Sequence, residues 1–245
     1  PYLIEYSKRL GLPDKFNADL SIALGSSTAT LVDLVRTYAV FPRGGRTLKP
    51  IFLNKVTDRG GKVLEEENSK QNVYDLAADQ TVARDLSVPR RVGVAGELQA
   101  EINNNPDAAK SRGQWTADPS EPSRVLDARN AYVMTHLMNE VATMGTGHDA
   151  KQLGRTAAGK TGTTNDYLDA WFLGFTPHIV TGVWVGFDTQ KTIAPKATGA
   201  MVALPIWLDY MKEAVKPYPE ADFAVPKGVT LTYIDAVSGK PTTAG

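Results

Sequence analysis

Four consecutive residues, Lys160, Thr161, Gly162 and Thr163, place one cation, two hydroxyls and a residue without a side chain in a single short stretch. That combination suits recognition of an anion. The lysine supplies a positive field, and hydroxyls of Thr161 and Thr163 can donate to a terminal carboxylate. At Gly162 a peptide can lie directly against the backbone. The amide of Thr163 can act as one donor of an oxyanion hole, a contact worth about 3–4 kcal/mol in a transition state. These roles need a strand edge, where backbone groups are offered to a ligand.

The flanking sequence predicts such an edge. Asp169–Phe175 and His178–Phe187 alternate in polarity, carry Trp171, Phe172, Val180, Val183, Trp184 and Val185, and are parted by Thr176-Pro177. This pattern predicts two antiparallel strands, with a third over residues 155–163 beside them. A different reading competes for the lysine. Residues Gly154 to Thr161 fit G-x-x-x-x-G-K-[ST], the phosphate-binding P-loop of a nucleotide-binding protein, with Asp188 as its metal-holding partner. That motif works between an apolar strand and a helix whose N-terminal amides meet the phosphates. Here the preceding His148–Leu153 is polar, and the following Gly162–Tyr167 has turn formers and no helical period. Both flanks argue against it.

Three residues alone are weak evidence, but the extended pattern is specific. Gly159 to Asn165, then Asp169-Ala-Trp-Phe172, then Gly174-Phe175-Thr-Pro177, resembles the class A (bifunctional) penicillin-binding proteins. Leu24-Gly25, Tyr38 to Gly45, the triplet Gly145-Thr146-Gly147 and Pro205 to Trp207 extend the likeness, which covers most of residues 1–65 and 126–215. Ala200 departs from it, standing where the family usually has a second glycine. The resemblance implies an α+β fold, an antiparallel sheet with helices packed on it. This is the penicillin-binding transpeptidase, or serine β-lactamase-like, fold, incomplete at its N-terminus. It also implies a peptidoglycan D,D-transpeptidase that cross-links stem peptides through a serine acyl-enzyme and binds β-lactams. Lys160 and the amide of Thr163 are then catalytic, while Thr161, Gly162, Thr163 and Thr164 bind the D-Ala-D-Ala end of a stem peptide. In that role Lys160 lowers the proton affinity of its neighbours and assists transfer to the leaving group. No cofactor or metal is implied.

The family acylates a serine in Ser-x-x-Lys and uses a second Ser-x-Asn box, and no serine of this chain stands in either pattern. In the family both lie before the helix that resembles Tyr2–Leu10. The chain is therefore expected to hold one wall of a cleft, to be inactive alone, and to need the missing N-terminal part of a parent protein as its partner. The expected location is the periplasmic, or extracytoplasmic, side of the membrane, with the anchor outside this chain. A carboxypeptidase or β-lactamase is the nearest enzyme alternative, and the Thr163 to Phe172 match argues against it. A non-catalytic binding or structural module is the alternative of a different class.

Composition narrows the rest. Lys plus Arg and Asp plus Glu both number 27, so charge favours neither nucleic acid nor an anionic surface. With no cysteine, disulfides and thiolate metal sites are excluded. No apolar run approaches the ~18 residues of a membrane span. His136, His148 and His178 lie in separate predicted elements, without metal-ligand spacing, and no Gly-x-Ser-x-Gly elbow accompanies them.

Several elements must position the lysine strand. Leu3, Tyr6 and Leu10 share one face of a helix ending before Gly11 and Pro13. Thr30 and Asp33 suit a capping box for a helix bearing Leu31, Leu34, Val35, Tyr38 and Ala39. Asp58 to Gly61 predicts a hairpin between Ile51–Thr57 and Lys62–Glu66. Asp127 is the predicted N-cap of a helix to about Met144, with Ala131, Met134, Leu137, Met138 and Val141 inward. Ala200 to Val215 predicts the last strong helix, with Pro205 near its start. The resemblance implies that residues 1–215 form the C-terminal part of a transpeptidase domain. A loosely structured insertion over 67–124, with some strand near Arg91–Glu97, interrupts it. Residues 216–245 form a C-terminal extension with a strand at Val229–Ile234 and a turn at Ser238-Gly239.

Overall fold

The computed structural model describes residues 2–12, 27–67, 122–235 and 238–242. Residues 68–121 of the insertion, with its strand near Arg91–Glu97, and the likeness at Leu24-Gly25 lie outside them. In chain order the regular elements are α1 (Tyr2–Arg9), α2 (Leu31–Ala39), β1 (Lys55–Thr57), β2 (Val63–Glu66) and α3 (Ala128–Thr143). After them come β3 (Ala158–Thr163), β4 (Asp169–Phe175), β5 (Val180–Gly186), α4 (Leu204–Ala214), β6 (Tyr233–Ile234) and β7 (Pro241–Thr242).

Strands β3, β4 and β5 form one antiparallel sheet with β4 in the centre. Thr161 pairs with Phe172 and Phe172 with Val183; one step along, Gly162 pairs with Trp171 and Trp171 with Trp184. Because successive side chains alternate between faces, these two rows mark opposite sides of the sheet. On the Phe172 side lies α4, whose Leu204, Trp207, Leu208 and Met211 are buried with Phe172 and Val183. The Phe172 and Trp207 rings meet edge to face at 5.1 Å, and Trp207 Nε1–H donates to Gly174 O at 3.2 Å. The other side takes α2, whose Leu31 and Val35 reach Gly182 and Leu173. Helix α3 lies along β3, with Ala142 in the α4 cluster and Met138 beside Ala158 and Phe175.

Several boundaries differ from expectation, among them β1, which begins at Lys55 rather than Ile51. Strand β3 begins at Ala158 rather than 155, because the side chains before it are drawn elsewhere. Arg155 donates to Tyr218 O at 2.7 Å and Thr156 Oγ1 bonds the Asp222 carboxylate. Helix α4 is preceded by a π-helical turn, Gly199–Ala203, in which Leu204 N–H donates to Gly199 O. Pro205 has no amide to continue an ordinary ladder there. The C-terminal strand is confined to Tyr233–Ile234, paired with Pro241–Thr242 across the turn. The first part of the extension folds back on the core, where Phe223 packs edge to face on Phe175 at 5.5 Å.

Local chemistry sets the helix starts. Thr30 Oγ1 accepts from Asp33 N–H at 3.1 Å and caps α2. Asp127 caps α3, its Oδ1 accepting from Arg129 N–H at 2.8 Å, while the Arg129 guanidinium grips both oxygens at 3.0 Å. Burial would raise the Asp127 pKa, but hydrogen bonds from the Arg129 side chain and amide, with its charge, outweigh that and hold it below the ordinary 3.8. Gly45 joins α2 to α3 through Leu126, a contact only glycine permits. Its φ is +89°, and a Cβ there would stand 1.8 Å from Leu126 O.

Two stability outcomes follow. Asp127→Ala is expected to cost about 1 kcal/mol, the scale of a lost N-cap, read as a lower midpoint in thermal unfolding. The charge-dependent part of that difference should be full above pH 3.8 and disappear as pH falls toward the depressed folded-state value. Gly45→Ala should cost more, about 1–3 kcal/mol from the forced shift at Leu126 alone, and should be insensitive to pH over the same range.

Candidate functional site

Outward from β4, the edge of β3 is closed at one end and open at the other. At its start Asn139 on α3 donates Nδ2–H to Ala157 O, consuming that carbonyl. At its far end Thr164 N–H donates to Asp169 O at 3.0 Å. In an antiparallel strand the direction of the backbone groups alternates. Residue 164 and, by alternation, Gly162 and Lys160 therefore face β4, whereas the amides and carbonyls of Thr161 and Thr163 face away from it. Lys160 lies along this outward side, with Nζ donating to Thr161 O at 2.7 Å. Lys160 and Thr163 are exposed, and Thr161 and Gly162 are half-buried.

The hydroxyls along this edge are held by other segments. Thr161 Oγ1 is 2.9 Å from Thr146 Oγ1, in the loop that leaves α3. Thr163 Oγ1 accepts from Gly199 N–H at 3.0 Å. That approach depends on glycine, since a Cβ on Gly199 would stand 2.2 Å from Trp171 O and 2.5 Å from Gly162 O. Thr164 is turned inward: its Oγ1 accepts from Asp169 N–H at 2.7 Å. The Asp169 carboxylate accepts in turn from Trp184 Nε1–H at 2.8 Å, and Trp184 lies 6.0 Å from Trp171 between ring centres. The β3–β4 loop is sharp, with Asp166 and Tyr167 both left-handed at φ 57° and 56°. It is pinned by Ile193 N–H on Tyr167 O at 2.9 Å.

All five residues expected from sequence thus lie on one strand end. Lys160, Thr161, Gly162 and Thr163 share its open edge, and Thr164 closes the turn beyond them. The residues that sequence reasoning did not place are Thr146, Gly199 and Asp169. Thr146 had a signal in the Gly145-Thr146-Gly147 triplet, but nothing in one dimension brings it beside Thr161.

Other readings of these residues fail on the geometry. Lys160 lies inside a strand with no helix leaving it, so the P-loop alternative over Gly154–Thr161 is overturned. The three histidines have separate surroundings: His136 stacks on Tyr132, His148 sits beside Asp149, and His178 stacks on Tyr218. Among the described residues no group of three or more His, Asp or Glu is placed to hold a metal, and no helix is long and apolar enough to cross a membrane. A cavity of about 460 Å³ lies at the closed end of the strand, lined by Lys151, Arg155, His178, Tyr218 and Asp222. It is separate from the lysine edge.

The chain is similar to known proteins over most of its length. The profile of the penicillin binding protein transpeptidase domain matches residues 6–211. Penicillin-binding protein 1A of Pseudomonas aeruginosa is 37% identical over 99% of this chain, which spans 30% of that protein's length. The crystal structure of Penicillin-Binding Protein 1A from Haemophilus influenzae superposes with a TM-score of 0.71 and 26% identity. It covers 100% of this chain, which corresponds to 35% of that one. PonA1 of Mycobacterium tuberculosis in complex with penicillin V shares the fold, with a TM-score of 0.59 and 22% identity over 91% of this chain and 52% of its own. The open lysine edge lies within the matched region, and the chain belongs to the penicillin binding protein transpeptidase domain family.

Proposed function

We propose that this chain is the C-terminal part of a peptidoglycan D,D-transpeptidase, and that the open edge of β3 is its substrate-binding wall. The observation that carries this reading is the gathering of four groups along one strand edge. Lys160, the Thr161 and Thr163 hydroxyls and the outward Thr163 amide all lie at the end of β3, whose outer side pairs with no other strand among the described residues. A stem peptide ending in D-Ala-D-Ala adds to this edge as a further strand, a mode in which main-chain hydrogen bonds supply affinity. Its terminal carboxylate meets the two hydroxyls and the lysine field. Thr164 contributes by holding the strand end against Asp169.

The reaction requires a serine from outside this chain, because no Ser-x-x-Lys or Ser-x-Asn stands within it. The serine oxygen attacks the carbonyl of the penultimate D-alanine, and the Thr163 N–H stabilises the oxyanion as charge develops. Lys160 favours proton delivery to the departing D-alanine amine. The acyl-enzyme is then resolved by an amine of a second stem peptide, which forms the cross-link. A penicillin presents a carboxylate and a strained amide in similar relation and is trapped at the acyl stage. PonA1, a protein of the same fold, is known in complex with penicillin V, and a penicillin is expected to bind here likewise. The substrate places this domain on the extracytoplasmic side of the membrane, joined to segments beyond these residues.

Two outcomes test the reading. The 245-residue chain alone should show no covalent labelling by a fluorescent penicillin, since neither Lys160 nor Thr163 forms the acyl-enzyme. A labelled band surviving denaturation would mean that the nucleophile lies within it. In the full-length gene product, Lys160→Ala should slow acylation about a hundredfold, the scale of one lost preorganised electrostatic contact. Stopped-flow or quench measurement showing an unchanged rate would remove this strand from the mechanism.

A further inference from the structure

We infer that Thr146 and Gly199 are positioning residues that donate to the hydroxyls of Thr161 and Thr163 and so leave their hydrogens for the ligand, and that the edge thereby selects an ionised carboxylate over a neutral terminus. This rests on the functional reading above. A threonine hydroxyl carries one hydrogen and two lone pairs, and it rotates to suit its partners. Left alone on a strand edge, it accepts or donates with equal ease. It discriminates poorly between an acid, an amide and an ester.

Neither hydroxyl is left alone here. Thr163 Oγ1 already accepts from Gly199 N–H at 3.0 Å, so one lone pair is occupied and the hydrogen is free to point outward. The Gly199 amide reaches that distance because no side chain intervenes; a Cβ there would collide with Trp171 O and Gly162 O. Thr161 Oγ1 and Thr146 Oγ1 lie 2.9 Å apart, where either can donate. A carboxylate settles the direction. It only accepts, so it takes the Thr161 hydrogen, and Thr146 then gives its own hydrogen to Thr161. Two hydroxyl bonds run the same way toward the anion, each polarising the next. In this arrangement Thr146 and Gly199 act through the hydroxyls they touch.

The consequence is a pair of outward donors flanked by Lys160. An ionised acid satisfies both with its two oxygens. A carboxamide presents an NH₂ group to one of them, and an ester replaces one anionic oxygen by an alkoxy group; both also lose the attraction to the lysine. Selection for a free carboxylate thus depends on residues behind the edge as well as on it.

The test compares a penicillin with its methyl ester as acylating agents of the full-length gene product. The readout is the ratio of the two acylation rates. Thr146→Val keeps the shape of the side chain and removes the donor. It should lower the acid-to-ester ratio about tenfold, the scale of one charge-assisted hydrogen bond. Thr146→Ser restores a hydroxyl and should hold the ratio within about twofold of the wild type. A Thr146→Val protein that keeps the wild-type ratio, whether or not both rates fall, overturns the inference and leaves the transpeptidase reading standing. A wild-type protein that neither compound acylates overturns that reading, and this inference with it.

Discussion

The outer side of an edge strand carries amides and carbonyls that find no partner within the sheet, and a protein must cover, pair or use them. This chain does two of these on a single strand. Asn139 covers β3 at Ala157, where a side-chain donor takes the outward carbonyl. Further along, the outward carbonyl of Thr161 accepts from the strand's own Lys160. Helix α3, which carries Asn139, therefore sets where the edge is covered. Its N-cap at Asp127 and the Gly45 contact behind it fix the helix that does the covering.

The edge proposed to bind a peptide must keep its geometry, because a misplacement of about 1 Å can cost about a hundredfold in rate. Packing on both faces of the sheet supplies this rigidity. Trp207 and Phe172 are fully buried on one side, and side chains of that size contribute about 1.5–3 kcal/mol each. The left-handed Asp166 and Tyr167 cost of order 1–3 kcal/mol each. A well-packed sheet can therefore sustain a sharp loop beside the site. That loop is further tied by Thr164 to Asp169 and by Tyr167 to Ile193. It leaves the strand end in one place and brings the segment containing Gly199 against Thr163.

Much of the fold was legible because its determinants are local. Alternation in Asp169–Phe175 and His178–Phe187 predicted β4 and β5 to within two residues at every end. Asp127 was read as an N-cap from residue type and position, and it is one. Lys160 to Thr163 were singled out because a cation, two hydroxyls and a glycine together suit an anion, and all four stand on one strand. Their likeness to a known family added the reaction. Even the P-loop coincidence was answerable in one dimension, since neither flank had the right period.

What the sequence by itself determined was which strand is the candidate for the chemistry and which elements stand beside it, because hydrophobic period, turn residues and caps act over neighbouring positions. Only the tertiary structure decided how far the edge is open and what stands behind its hydroxyls. Thr146 lies 15 residues from Thr161, and Gly199 lies 36 from Thr163. Contacts at those separations depend on how α3 and α4 dock, which no local pattern encodes. The start of β3 belongs with them. Residues 155–157 had strand character, but Tyr218 and Asp222 from the returning chain claimed the side chains of Arg155 and Thr156 first.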